Sequence, residues 1–321
     1  MKIVVLDGYA LNPGDNPWDE ILALGELTVY DRTPPELVYE RAKDAEILLT
    51  NKTVLSSDLI FSLKNLKMIC VLATGYNIVD INAAEVRKIP VCNIPTYGTD
   101  SVAQLAFALI LEFCHNVRRH SDSVLKGDWC KANDYTYWNY TLVELKGKTF
   151  GVIGFGLIGQ KTAAIAAAFG MNVLVYDPIP KKAPDYENFR FAQMDEVLRD
   201  SDFISLHCPL LPENTGMINA ETISKMKRTA FLINTARGRL IDEQALADAL
   251  NSGAIAGAAV DVLSVEPPKS NNPLLKAKNI IITPHIAWAT INARRRLMSI
   301  AASNIKAFLS GRPINTVNRA E

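Results

Sequence analysis

Short apolar runs recur along the whole chain, and mixed stretches with helical spacing separate them. Lys2–Leu6, Ala45–Thr50, Lys67–Ala73 and Val91–Ile94 predict strands in the first third. Thr149–Ile153, Met171–Tyr176, Ser201–His207, Ala230–Asn234, Ala256–Val262 and Asn279–Thr283 predict strands in the remainder. Between them, the pattern predicts helices over Ser56–Leu63, over Gln160–Phe169 with Gly170 closing it, and from an Asp242 cap to about Asn251. An amphipathic helix is expected over Asn292–Leu309. Strands alternating with helices imply parallel, doubly wound sheets. Asp100 or Ser101 can cap a longer helix running to about Arg118, apolar on most faces and therefore buried. It is a candidate connection between two sheet systems. Residues 120–145 hold Trp129, Tyr135, Tyr137, Trp138 and Tyr140 without clear periodicity, which suits either a subunit contact or a packed loop.

Composition narrows the class. A chain of 321 residues has room for two domains with their own cores. Lys plus Arg and Asp plus Glu stand at 34 each, so the net charge gives no reason to expect a nucleic-acid or membrane partner. The opening MKIVVLDGY reads as a strand with an early acid rather than a leader, and the longest apolar run, Leu105–Leu111, is too short to span a bilayer. Five scattered cysteines without a C-x-x-C pair suit reduced thiols in a cytoplasm, and no metal site is expected.

The most informative stretch runs from Thr149 through Gly159 to Asp177. A buried strand leads into Gly154, Gly156 and Gly159, spaced G-x-G-x-x-G, then a helix, then a second strand ending on Asp177. This order holds a dinucleotide. The first glycine permits a sharp turn, the second a close approach to pyrophosphate, and the third close packing of the helix. The helix start offers unpaired N–H groups to the phosphates. Asp177 can accept hydrogen bonds from the adenosine ribose, and its charge favours NAD over a 2′-phosphorylated cofactor. Lys181 and Lys182 nearby read as a solvated loop.

Arg237, Glu266 and His285 each fall just past a predicted strand in this second half, where ligands of open α/β sheets bind. Their types suit reduction of a 2-keto acid. A histidine can give or take the proton, an arginine can grip a carboxylate or polarise a carbonyl, and a carboxylate can favour imidazolium. Taken locally, each has a plainer reading: a strand-end histidine, a cap on a carbonyl, and a surface acid. Among the other histidines, His115 and His120 read as structural or solvated, and His207 as bonding a turn. Thr74-Gly75 after the third strand could present N–H groups to an anion, or could simply be a tight turn.

The motifs VIGFGLIGQ with Asp177, SLHCPLLPENTGMIN, LINTARGRLIDEQAL, GAAVDVLSVEPP and NIIITPHIAWAT resemble those of the D-isomer-specific 2-hydroxyacid dehydrogenases, over essentially the whole chain. The resemblance implies a Rossmann NAD-binding domain at 99–289 and a flavodoxin-like substrate domain formed by 1–98 plus 290–321. It implies Arg237, Glu266 and His285 as the catalytic set, with Thr74, Gly75, Arg237 and His285 on the substrate. It also implies NAD contacts from Thr99, Phe155, Leu157, Ile158, Asp177, Cys208, Pro209, Thr235, Ala236, Arg237, Asp261 and His285, besides the three glycines. Gln104 and the HIAWAT run resemble the glycerate dehydrogenase (hydroxypyruvate reductase) branch, which would set Trp288 beside the substrate. A homodimer and a small 2-keto or 2-hydroxy acid substrate are the family's expectations. Leu157 departs from the pattern, standing where many relatives carry arginine. NAD-sensing corepressors share this fold and can keep the same three residues, so a binding protein is the alternative of another class.

Overall fold

The computed structural model describes residues 1–179 and 181–318. It divides into two compact units, Met1–Gly98 with Trp288–Glu321, and Thr99–Ala287. The return crossing thus lies at residue 288, two residues before the position read from the sequence; the expected end at residue 321 lies outside the described residues.

In the first unit, β1 (Lys2–Val5), β2 (Glu26–Val29), β3 (Ile47–Thr50), β4 (Met68–Val71) and β5 (Val91–Cys92) form a parallel sheet in the order β2-β1-β3-β4-β5. This is the flavodoxin-like order. Alternate residues face opposite sides, so the inner strands bury both faces. Ile3, Val5, Ile47, Leu49, Met68 and Cys70 pack under the helix Ile291–Leu309, which contributes Ala293, Leu297, Ala301 and Ile305. Val4, Leu48, Ile69 and Val71 pack on the other side.

In the second unit, β6 (Thr149–Ile153), β7 (Asn172–Tyr176), β8 (Phe189–Phe191), β9 (Phe203–Leu206), β10 (Phe231–Asn234), β11 (Gly257–Val260) and β12 (Ile280–Ile282) are also parallel. Their order is β12-β11-β10-β9-β6-β7-β8. Chain order reverses between β6 and β9. That reversal is the topological switch point at which α/β sheets take their ligands.

The long helix spans Thr99–His115 and lies wholly in the second unit, with Ala106, Phe107, Leu109 and Ile110 in its core. It starts before Asp100 and Ser101, which therefore do not cap it; Asp100 instead pairs with Lys161 (2.8 Å). It ends before Arg118 because Asn116 takes a left-handed conformation (φ 46°), and a separate helix runs from Val117 to Leu125. Among the described residues, no helix is long and apolar enough to cross a membrane.

Candidate active site

The glycine segment follows β6. Gly154 has φ +95°, and a Cβ there would stand 2.5 Å from the Cys208 amide nitrogen, so only glycine makes this turn. A Cβ on Gly159 would meet the Gly154 carbonyl at 2.1 Å; its absence lets the following helix pack closely onto the loop. That helix runs from Leu157 to Ala168, starting three residues and ending one residue before the span the sequence pattern gives, with Gly156 at its N-cap and no side chain capping it. Gly156 itself has an ordinary φ of −72°, and a Cβ on it would meet nothing within 4 Å. Neither backbone strain nor a protein neighbour explains glycine at this position. A ligand lying against the helix start would, since its first N–H groups have no intrahelical partner.

Asp177, just past β7, accepts from Phe155 N (2.6 Å) and from Ile179 N (2.8 Å), tying the strand end to the glycine loop. Cys208 lies half-buried beside it, and burial pushes its thiol up to about 11. Pro209 is exposed, with its carbonyl accepting from Asn214 Nδ2 (2.8 Å). Thr235 Oγ1 is buried without a hydrogen-bond partner. Such an orphaned hydroxyl costs stability unless a ligand or water meets it. The open space at Gly156, the uncapped helix start and the Thr235 hydroxyl all fit a bound dinucleotide.

His207, expected to bond a turn, instead pairs through Nε2 with Ser205 Oγ of its own strand (2.9 Å). Burial pushes its imidazole down to about 4, so the native ring is neutral near pH 7. The unfolded ring takes up its proton near pH 6.5. The stability this group contributes is therefore complete above about pH 6.5 and is lost as pH falls toward 4. We expect His207→Gln to remove roughly 2 kcal/mol of the acid-side loss of stability, read from urea midpoints at several pH values. Parallel midpoint curves for the two proteins would contradict this.

Beyond β10, fully buried Asn234 accepts from Ala236 N (3.0 Å) and donates through Nδ2 to the Arg237 carbonyl (2.9 Å). Its side chain thereby shapes the turn that presents Arg237. The Arg237 guanidinium bonds the Ala236 carbonyl through Nη1 (2.7 Å) and reaches solvent. Beyond β12, His285 has φ +55°, a strained value for a residue with a side chain. Asp261 holds this segment. Its carbonyl accepts from His285 N (2.8 Å), and its carboxylate accepts from Thr283 Oγ1 (2.5 Å), Ile286 N (2.9 Å) and Ala287 N (2.8 Å). Asp261, read from the sequence as a cofactor contact, is thus buried and engaged by the chain itself. His285 Nδ1 meets Glu266 Oε2 at 2.6 Å, and Glu266 Oε1 accepts from Leu263 N (2.9 Å). With Nδ1–H on the carboxylate, Nε2 is the nitrogen left to exchange a proton with a ligand.

The structure brings His285 and Glu266 into contact. Asn234 and the anchoring role of Asp261 were missed by the sequence reading; an asparagine at a strand end before a turn was the available signal for the first. Thr99 begins the long helix. In the first unit, Thr74 Oγ1 donates to the Ile94 carbonyl (2.8 Å), and Thr74-Gly75 follow the end of β4. Trp288, expected beside the substrate, packs against the first unit's core, edge-on to Tyr97 (centroids 6.1 Å apart).

These features outline a dinucleotide-binding α/β unit with a histidine–carboxylate pair, and the comparisons with known proteins give the family. Residues 107–287 match the D-isomer specific 2-hydroxyacid dehydrogenase NAD binding domain, and the chain belongs to that family. It is an NAD-dependent oxidoreductase acting on the CH–OH group of a D-2-hydroxy acid. It is 53% identical to a hydroxypyruvate reductase of Blautia hydrogenotrophica, over 99% of this chain and 100% of that one. It is 39% identical to a glycerate dehydrogenase of Methylorubrum extorquens, over 98% of each chain. Among solved structures, D-lactate dehydrogenase of Aquifex aeolicus complexed with NAD and lactic acid superposes with a TM-score of 0.83. That pair is 31% identical, with 97% of this chain and 96% of the other covered.

Proposed function

We propose that this chain interconverts hydroxypyruvate and D-glycerate, with His285 as the acid/base, Glu266 as its partner and Arg237 as the residue that holds the keto acid. The 2.6 Å contact between His285 Nδ1 and Glu266 Oε2 supports the chemistry. The 53% identity to a hydroxypyruvate reductase supports the substrate. NADH held at the glycine segment and Asp177 would supply the hydride for the carbonyl carbon. The developing alkoxide then needs a proton, and His285 Nε2 gives it while Glu266 steadies the charge on the ring. Arg237 retains N–H donors beyond its bond to Ala236, enough to bind a carboxylate and draw charge toward the carbonyl oxygen. The amides around Thr74 and Gly75 are assigned to the substrate carboxylate, and Trp288 to the shape of the pocket. The glycine segment, Asp177, Cys208, Pro209, Thr235 and Ala236 are assigned to NAD. In the reverse direction His285 takes the hydroxyl proton.

Glyoxylate is the second substrate reading, because a glyoxylate reductase of Thermofilum pendens is 41% identical over 84% of this chain and 80% of its own. The two substrates differ by one hydroxymethyl group, whose methylene alone is worth only about 1–3 kcal/mol in a pocket, so the discrimination depends on whether the site bonds its hydroxyl. NADH consumption is therefore compared for hydroxypyruvate, glyoxylate, pyruvate and 3-phosphohydroxypyruvate. We expect hydroxypyruvate to have the highest kcat/KM. A lead by glyoxylate would transfer the assignment, and binding of NADH without any turnover would mean that the substrate is another 2-keto acid.

The homodimer is part of the same proposal. Val117, Leu125, Trp129, Tyr135 and Trp138 are all exposed on the segment after the long helix, apolar side chains that a second copy of the chain would cover. Light scattering that returns the mass of one chain would remove it. Five free cysteines support a reducing, cytoplasmic setting.

A further inference from the structure

We infer that Glu243 is a positioning residue for the His285–Glu266 pair; the inference rests on the catalytic reading above. Glu243 opens the helix Glu243–Ser252, capped by Asp242, whose Oδ1 accepts from Gln244 N (3.0 Å) and Ala245 N (3.1 Å). Its carboxylate does not turn to solvent as a first-turn acid ordinarily would. Oε1 accepts from Ser264 N (2.7 Å), and Oε2 accepts from both Ser264 Oγ (2.8 Å) and Asn272 Nδ2 (2.9 Å). Ser264 and Asn272 bracket the loop that carries Glu266. One carboxylate therefore closes that loop at both ends. Asn272 is in turn fixed, its Oδ1 accepting from Leu274 N (3.0 Å) at the start of the 3₁₀ turn Pro273–Lys276.

Glu243 touches neither His285 nor the ring contact, so its effect passes through the loop. With the clamp in place, Glu266 Oε2 stands where Nδ1 of His285 meets it. With the clamp removed, the loop is free to move away from the histidine, and the imidazolium loses its counter-charge without any change to the pair itself. Among the described residues, the charged groups bonded to His285 and the two residues after it are Glu266, on the ring, and Asp261, on the following amides, while Arg294 bonds the Ala289 carbonyl beyond them. Asp261 is buried and does not depend on Glu243 for any contact, so it stays in place in either state.

The test compares Glu243→Ala, Ser264→Ala and Glu266→Gln, singly and with Glu243→Ala and Glu266→Gln combined, in the full-length enzyme with NADH and hydroxypyruvate. Glu266→Gln should move the pH profile for reduction to lower pH, since the counter-charge 2.6 Å from Nδ1 is removed. Glu243→Ala should move the profile in the same direction and lower kcat roughly 10- to 100-fold, the usual scale for a misplaced catalytic group. Its KM for NADH should stay near that of the parent. Ser264→Ala, which keeps the backbone bond, should do the same more weakly, and it serves if Glu243→Ala fails to fold. In the combined variant the profile should move no further than in Glu266→Gln alone, because both act through one contact. If Glu266→Gln moves the profile while Glu243→Ala and Ser264→Ala leave it unmoved, Glu243 is merely structural and the inference is wrong. Additive shifts would also overturn it. If Glu266→Gln itself leaves the profile unmoved, the pairing with His285 has no catalytic role, and the inference falls with that reading.

Discussion

Replacing His285 by alanine should lower kcat for reduction by roughly 10²- to 10⁴-fold, the range that a positioned general acid contributes. NADH binding should be nearly unchanged, because the glycine segment and Asp177 form a network of their own around Phe155 N. The substitution should not unfold the unit either. His285 is half-exposed, and the bonds that hold its segment come from Asp261 to backbone groups that alanine retains. Alanine keeps the strain of the φ of +55°, which only glycine would relax. Stopped-flow measurement of a single turnover with NADH bound beforehand separates the chemical step from binding. Turnover within tenfold of the parent would take the proton transfer away from His285 and return the residue to its plain role at a strand end.

The difference between what was legible in the sequence and what was not comes from the range of the interactions. Inner strands such as β3 and β10 are continuous apolar runs because both faces are buried, and they are readable from composition alone. Of the four edge strands, β5 and β12 keep an apolar run and were readable, whereas β2 and β8 were not. Glu-Leu-Thr-Val in β2 and Phe-Arg-Phe in β8 are short and half-exposed, and no apolar run marks them. The end of the long helix was misplaced for a related reason. Apolar periodicity carries no information on the left-handed turn at Asn116, which the residue's short polar side chain tolerates.

The glycine spacing was legible because Gly154, Gly156 and Gly159 stand within six consecutive positions. The proposed catalytic residues were picked out by residue type and strand-end position, and the contact between His285 and Glu266 spans only 19 positions. The groups that hold the set together were hidden. Glu243 reaches Ser264 across 21 positions and Asp261 reaches Ala287 across 26, and nothing in the spacing of acids along a chain marks such pairs.

Gly238 shows most sharply how packing at a distance controls this site. Its φ is not positive, so no turn requires glycine there, and the sequence shows only a small residue after Arg237. In the structure a Cβ at this position would stand 1.9 Å from the Leu263 carbonyl carbon and 2.4 Å from Ser264 N. These neighbours are backbone atoms of the loop that carries Glu266, and no rotamer change can relieve the clash. Gly238→Ala must therefore push apart the turn presenting Arg237 and the loop presenting Glu266. We expect kcat/KM to fall by at least about 10²-fold, since displacements near 1 Å cost that much in positioned chemistry. The overpacking should also lower stability by about 1–3 kcal/mol. NADH affinity should fall far less than kcat/KM, because the atoms the new methyl group meets belong to Leu263 and Ser264 rather than to the Gly154–Gly159 segment. Gly156→Ala should give the opposite split. Its Cβ meets no protein atom, so the fold should be kept, while a pyrophosphate brought against the helix start would meet the new methyl group and NADH affinity should drop. Thermal melts, NADH titrations and steady-state kinetics on the two variants read the split directly. A Gly238→Ala enzyme with more than a tenth of the parent's kcat/KM would mean that the two loops can separate without disturbing the chemistry, and that the spacing between Arg237 and Glu266 does not set the rate.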